Sequence, residues 1–180
     1  LIQFAVSGGF GLNDSSDTPI EVDYYKTVNN KKNYKGPRKK FKDIDRTEVD
    51  SIDFEIPKGW ILTRLGNIVT YINGYSFTSS ETKKGGSGLP VIKSQNIGKK
   101  IVEINQKTDF VENPSKKMLL ASISYGDLLM VMSSQSSNVN PLGVTAYYDL
   151  DFDSLLNQRV LSIRCIESSM SRFLYYYLNS

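Results

Sequence analysis

Lys93-Ser94-Gln95-Asn96, followed by Lys99 and Lys100, places two carboxamides among ammonium groups. A carboxamide donates and accepts at once, which suits paired hydrogen bonds to an adenine in the major groove, while an ammonium suits a phosphate or a guanine. The same residues also fit a strand exit followed by a polar turn that Asn96 stabilises. A second polar run, Ser133-Ser134-Gln135-Ser136-Ser137-Asn138, follows the apolar stretch Leu128–Met132. Hydroxyls and amides at the mouth of a strand can address base edges; the alternative is a loop with no partner. Lys83, Lys84 and Arg159 are phosphate candidates, with Arg159 alternatively lying in a strand and pairing with an acid such as Asp153. Tyr75 and Phe77 could touch a nucleic acid, although aromatics after a glycine turn more often belong to a core.

Catalytic sets are harder to assemble. The sequence contains no histidine, which removes Ser-His-Asp and Cys-His catalysis and the usual zinc sites. Asn140-Pro141-Leu142-Gly143 partly matches the Asn-Pro-Pro-aromatic loop that holds a flipped adenine. It lacks the second proline and the aromatic on which a flipped base would stack, so a plain turn is the better reading. Glu81-Thr82-Lys83 has no partner acid on a neighbouring strand, and metal-assisted cleavage needs a carboxylate cluster. Gly85-Gly86-Ser87-Gly88 lacks the Gly-Lys-Ser/Thr ending of a phosphate loop and reads as a flexible turn. These gaps favour a binding domain without catalysis, cofactor or metal.

The elements that must carry the two polar segments come from the second part of the chain. With 180 residues, 39% hydrophobic and 11% aromatic, the sequence can build one ordinary core plus an extra segment. No apolar run is long enough to span a bilayer, and the single cysteine, Cys165, fits a reducing compartment; a cytoplasmic protein is expected. Net charge is +3, yet residues 31–42 hold seven positive charges and no negative one, while residues 43–55 hold six acids against Arg46. A basic stripe followed by an acidic one reads as a solvated linker. Leu1, Phe4 and Ala5 fall at helical spacing before Gly8-Gly9, as in the last turns of a helix, and Leu1 in place of Met suggests a fragment of a longer chain. Glu21–Val28 is compatible with a short helix.

We therefore place a helix end plus charged linker over 1–55 and the globular domain over 56–180. Within it, Trp60–Arg64, Leu89–Lys93, Ile101–Ile104, Leu128–Ser133, Val144–Tyr148 and Arg159–Ile166 read as short strands between turn signals. Met170, Phe173, Leu174, Tyr177 and Leu178 follow the helical i, i+3, i+4, i+7, i+8 rule, with Ser168 or Ser169 as cap. Tyr175-Tyr176-Tyr177 would then show both the buried and the exposed face of that helix. The fold class is a mixed, strand-rich α+β domain.

Ile56-Pro57-Lys58-Gly59-Trp60, followed by Arg64-Leu65-Gly66-Asn67-Ile68, resembles the start of a target recognition domain of type I restriction–modification specificity subunits. Further pieces arrive in that family's order: Gly74-Tyr75-Ser76-Phe77, Pro90-Val91-Ile92 with Asn96-Ile97, Gly126-Asp127-Leu128-Leu129, Gln158-Arg159-Val160, and the closing Phe173–Leu178. Upstream, Ala5-Val6-Ser7-Gly8, Leu12 and Asn13-Asp14 resemble the end of the helix that precedes many such domains. Each motif is weak alone; their order makes the match specific.

The resemblance implies that the domain reads one half of a bipartite site in double-stranded DNA. It also implies a second recognition domain, long spacer helices that continue from 169–180, two methyltransferase subunits that supply the chemistry, and restriction subunits. Alternatives are the recognition domain of a fused methyltransferase–endonuclease and a protein-interaction module.

Overall fold

The computed structural model describes residues 26, 29–30, 62–98, 100–133 and 142–180. The helix tail, the linker, residues 56–61 and the boundary expected at 55/56 lie outside the described residues, apart from Lys26, Asn29 and Asn30.

The core is built where apolar residues run without alternation. Strands β3 (Leu89–Ile92), β8 (Leu128–Val131) and β10 (Ser154–Leu156) are covered on both faces, so successive side chains enter different apolar layers. Val91 and Leu155 pack with Val111 and Met118, while their neighbours Ile92 and Leu156 pack with Leu129, Val131, Ala146 and Tyr148. Leu128, one residue before Leu129, joins a third cluster with Val69, Ile163, Cys165 and Leu174. Two sheets therefore share a central core, with a helix against the outer face of each.

The first sheet has the order β1-β11-β8-β9, with β1 Val69–Asn73, β9 Thr145–Tyr147 and β11 Val160–Cys165, all antiparallel. The second has the order β2-β6-β3-β10-β7, with β2 Lys83–Lys84, β6 Asp109–Val111 and β7 Ser122–Ile123. In it β10 runs parallel to β3, with Leu156 beside Ile92. A small ribbon pairs β4 (Ile97–Gly98) with β5 (Ile101–Val102). Helix α1 (Leu65–Ile68) leads into β1, α2 (Lys116–Leu119) covers the second sheet, and α3 (Met170–Leu178) covers the first.

This is the strand-rich α+β architecture expected, and five of the six expected strands coincide with observed ones, each shortened. Trp60–Arg64 does not: Leu62, Thr63 and Arg64 are irregular, and Arg64 stands in extended geometry before α1. The closing helix is present. Ser169 occupies its N-cap position without a capping side-chain hydrogen bond. Tyr175 packs against the core while Tyr176 and Tyr177 are exposed.

Tyr148 links the core to alkaline stability. Its hydroxyl is fully buried, lies 2.5 Å from Ser154 Oγ and donates to the Phe152 carbonyl oxygen at 2.8 Å. Burial pushes the phenol up to about 12 from an ordinary 10.0. A raised folded-state value means that its stabilisation is complete below about pH 10 and is lost as pH rises through about 12. Tyr148→Phe should be less stable than the parent at neutral pH. The parent's lead should shrink by about 2–3 kcal/mol between those limits. Urea melts at pH 9 and above measure it; a constant gap would show that Tyr148 is not the group responsible.

Candidate nucleic-acid interface

The parallel pairing of β10 with β3 fixes where the polar segments meet. Both strands end in the same direction, so the residues after Ile92 and those after Leu156 leave the sheet side by side. The turn Asn157-Gln158-Arg159 lies between the two polar runs and is held by backbone on three sides. Asn157 N donates to Ile92 O at 2.9 Å, Gln158 N donates to Tyr75 O at 3.0 Å, and Arg159 O accepts from Met132 N at 2.9 Å. Ser133 N also reaches Arg159 O, at 3.4 Å. The Asn157 carboxamide closes the turn by accepting from Arg159 N at 3.2 Å. The exits of β3 and β8, the turn before β11 and the Gly74–Phe77 segment therefore form one loop cluster.

Gly74 makes this approach feasible. A Cβ at this position would sit 2.1 Å from both Asn157 C and Asn157 O, well inside van der Waals contact. Beyond it, Tyr75 pairs with Asn157, packs its ring 4.8 Å edge-on to Phe77, and donates its hydroxyl to Glu81 Oε1 at 3.2 Å. Glu81 also accepts from Thr78 N at 2.8 Å, and this bond leads the causes that hold its carboxyl below the ordinary range. Tyr75 and Phe77 thus have the core role named as their alternative, with Phe77 also lining an open cleft.

After β3, a single 3-10 turn, Ser94–Asn96, carries the first polar segment. Asn96 is buried, and its carboxamide is fully engaged. Its Oδ1 accepts from Lys93 N at 3.0 Å, and its Nδ2 donates to Glu103 O at 2.9 Å and Thr108 Oγ1 at 3.0 Å. Asn96 therefore holds the turn, the alternative named for it, and its carboxamide is occupied by protein partners. Gln95 is exposed and Ser94 half-buried. The Lys93 ammonium is paired with Asp109 on β6. Lys100 has φ 69 and donates from Nζ to the Asn179 carbonyl oxygen at 3.1 Å, while its own carbonyl accepts from Tyr175 Oη at 3.2 Å. This residue is tied to the end of α3. Lys99 lies outside the described residues.

Lys83 and Lys84 stand exposed on the edge strand β2. Lys83 meets Glu112 at 3.6 Å in a solvent-facing pair, which contributes at most about 1 kcal/mol and leaves the ammonium available. Paired lysines on an edge also deter strand-to-strand association. Lys84, Lys93, Asp109, Thr78, Ser79, Thr82 and Phe77 line the cleft, of about 420 Å³. Ser133 is exposed at the β8 exit, while Ser134 and Gln135 lie outside the described residues. Arg159 is half-buried in the turn rather than in β11, and among the described residues no carboxylate pairs with its guanidinium. Gln158, exposed at the centre of the cluster, is a further candidate, which the sequence offered only within the motif Gln158-Arg159-Val160. Its signal was the Asn-Gln-Arg order between two apolar runs.

Among the described residues no cluster of three or more His, Cys, Asp or Glu side chains could hold a metal, and no helix is long and apolar enough to cross a membrane. What the cluster presents is an exposed carboxamide on each of two adjacent turns, a hydroxyl beside them and a fringe of cations. Such a surface can exchange hydrogen bonds with base edges and compensate phosphates; among the described residues it pairs no nucleophile with a base.

Comparison with known proteins finds likenesses to type I restriction–modification components. The chain is 30% identical over 99 residues, 54% of its length, to the type I restriction enzyme EcoAI specificity subunit of Escherichia coli. It spans 16% of that protein's length. Its fold matches a chain of a type I R-M system solved for complex assembly and conformational transition, with a TM-score of 0.56 and 24% identity, covering 72% of this chain and 29% of that one. It also matches the HsdS subunit of Thermoanaerobacter tengcongensis, with a TM-score of 0.54 and 24% identity, covering 70% and 28%. No family profile matches the chain.

Proposed function

As a relative of type I specificity subunits with the strand-rich fold of their recognition domains, this chain is, we propose, a reader of double-stranded DNA with no catalysis of its own. It recognises one half of a bipartite site and directs methylation and restriction carried out by partner methyltransferase and restriction subunits. The observation that carries this reading is the loop cluster. Gln95, Ser133 and Gln158 emerge together from strand ends held by a rigid backbone network, and carboxamides on a rigid frame suit direct readout of bases.

Lys83, Lys84 and Arg159, with Lys99, serve phosphates; Gln95 and Gln158 read edges, together with Ser94, Ser133, Ser134 and Gln135. The chain works in the cytoplasm and needs no cofactor. Titrating it against duplex DNA should show weak, salt-sensitive binding, with a logarithmic slope set by roughly four to six phosphates. In the complete subunit, Gln95→Ala should relax the methylated sequence at one base pair while leaving the salt slope intact. Affinity that does not change between low and moderate salt would end the electrostatic account.

A further inference from the structure

Lys93 carries a charge beside the reading turn, and its chemistry alone would make it a phosphate anchor. Its surroundings say otherwise. The ammonium is paired with Asp109, a β6 carboxylate whose side chain is only 10% exposed. Asp109 lies opposite Val91 in the β3–β6 ladder, two residues before Lys93. Removing the lysine to serve a phosphate would leave that carboxylate buried and unpaired, which is strongly unfavourable.

The two ends of the 3-10 turn are thus fastened in different ways. Lys93 is fixed through its side chain to β6, and Asn96 through its carboxamide to Glu103 and Thr108. The backbone of each also binds the other end: Asn96 N donates to Lys93 O at 2.9 Å, and Lys93 N donates to Asn96 Oδ1 at 3.0 Å. Only Gln95, between them, is exposed.

We infer that the Lys93–Asp109 pair is a specificity-determining device: Lys93 is a positioning residue that aims Gln95 at its base and does not itself bind DNA. The inference rests on the DNA-reading function proposed above. A rigid frame loses less side-chain freedom on binding, so one carboxamide can discriminate. With the pair broken, the turn can move, and Gln95 meets several bases about equally.

The test combines binding titrations of the chain on duplex DNA at several salt concentrations with profiling of methylated sites in cells carrying the complete variant gene. The variants are Lys93→Met, Lys93→Arg, Asp109→Asn and Lys93→Met with Asp109→Asn. Positioning predicts the parent's salt slope in every one. Discrimination at one base position should fall roughly tenfold in Lys93→Met and Asp109→Asn, the loss of one good base contact, and recover in Lys93→Arg. The double variant leaves no lone buried carboxylate, so the comparison survives if Lys93→Met does not fold.

A salt slope lower by about one in Lys93→Met or the double variant would make Lys93 a phosphate anchor and overturn the inference. Tighter binding of Asp109→Asn to all sequences alike would do the same, as would an unchanged methylation motif in the double variant. If the parent chain itself shows salt-independent affinity, the DNA-reading proposal fails instead. If the parent has its expected slope and Lys93→Met lowers it, only the role of Lys93 is lost.

Discussion

Replacing Arg164 by methionine should cost the fold about 3–5 kcal/mol, the range for removing one partner of a buried ion pair. Arg164 on β11 holds Asp127 with two parallel bonds, Nε to Oδ1 at 2.6 Å and Nη2 to Oδ2 at 2.7 Å. Nη2 also reaches Ser124 Oγ at 3.2 Å. The Asp127 side chain is 1% exposed and that of Arg164 30%, so the two deletions are unequal. Without the guanidinium, Asp127 keeps only the Ser124 amide, at 3.1 Å, among its described donors, and its charge has no route to water. Without the carboxylate, the guanidinium can still reach solvent.

Arg164→Met should therefore destabilise more than Asp127→Asn, and the double variant should cost less than the sum of the two. Urea midpoints for the three proteins check it; a larger loss for Asp127→Asn would show that the buried carboxylate is not what makes the pair costly to break. The consequence reaches the interface, because the loop that precedes β8 is anchored here. Gly126 has φ 91 and donates to Tyr148 O at 2.9 Å, and Asp127 O accepts from Tyr148 N at 2.8 Å. The strand that delivers Ser133 to the loop cluster begins at this anchor.

The Gly-Asp-apolar element could be recognised in the sequence, but its partner could not. Arg164 lies 37 residues away, and nothing in its local pattern points to Asp127. The same separation governs the rest of the fold. Leu89–Ile92 and Leu128–Val131 were legible because burial on both faces leaves unbroken apolar runs, and Val160–Cys165 because its apolar residues outnumber Ser162 and Arg164 between turn signals. Asp109–Val111 and Ser154–Leu156 were not, because each offers only two apolar residues between polar flanks. Val69–Asn73 was not expected, although Val69, Thr70, Tyr71 and Ile72 all favour a strand.

At the candidate site, composition located the polar segment 93–96 but not the direction of its side chains. Neighbouring Gln95 and Asn96 have the same chemistry and opposite fates, because Glu103 and Thr108 consume one carboxamide and leave the other exposed. Lys93 was expected at a phosphate or a guanine; Asp109, 16 residues on, pairs with it instead. Gln158 joined the site only once β10 was seen to run parallel to β3.

Gly74→Ala tests that convergence directly and should remove at least about 3 kcal/mol, at or beyond the upper end of ordinary overpacking. The added Cβ meets backbone: Asn157 C and O at 2.1 Å and Gln158 N at 2.6 Å. No rotamer change relieves contact with a carbonyl carbon, so the two segments must separate. Separation breaks Tyr75 N to Leu156 O, 2.7 Å, and Gln158 N to Tyr75 O, 3.0 Å, the bonds that seat the Asn157-Gln158-Arg159 turn. Arg159 O would then no longer sit where Met132 and Ser133 donate to it, and the exits of β3 and β8 would lose their common neighbour.

Stability and recognition should therefore fall together: a lower urea midpoint, weaker DNA binding, and a relaxed or absent methylation motif in the complete subunit. Gly98→Ala is the matched control, because a Cβ there meets nothing within 4 Å; its effect should stay within about 0.5 kcal/mol. If Gly74→Ala folds with the parent's stability and reads the parent's sequence, the Gly74–Asn157 approach is not what holds the reading loops together.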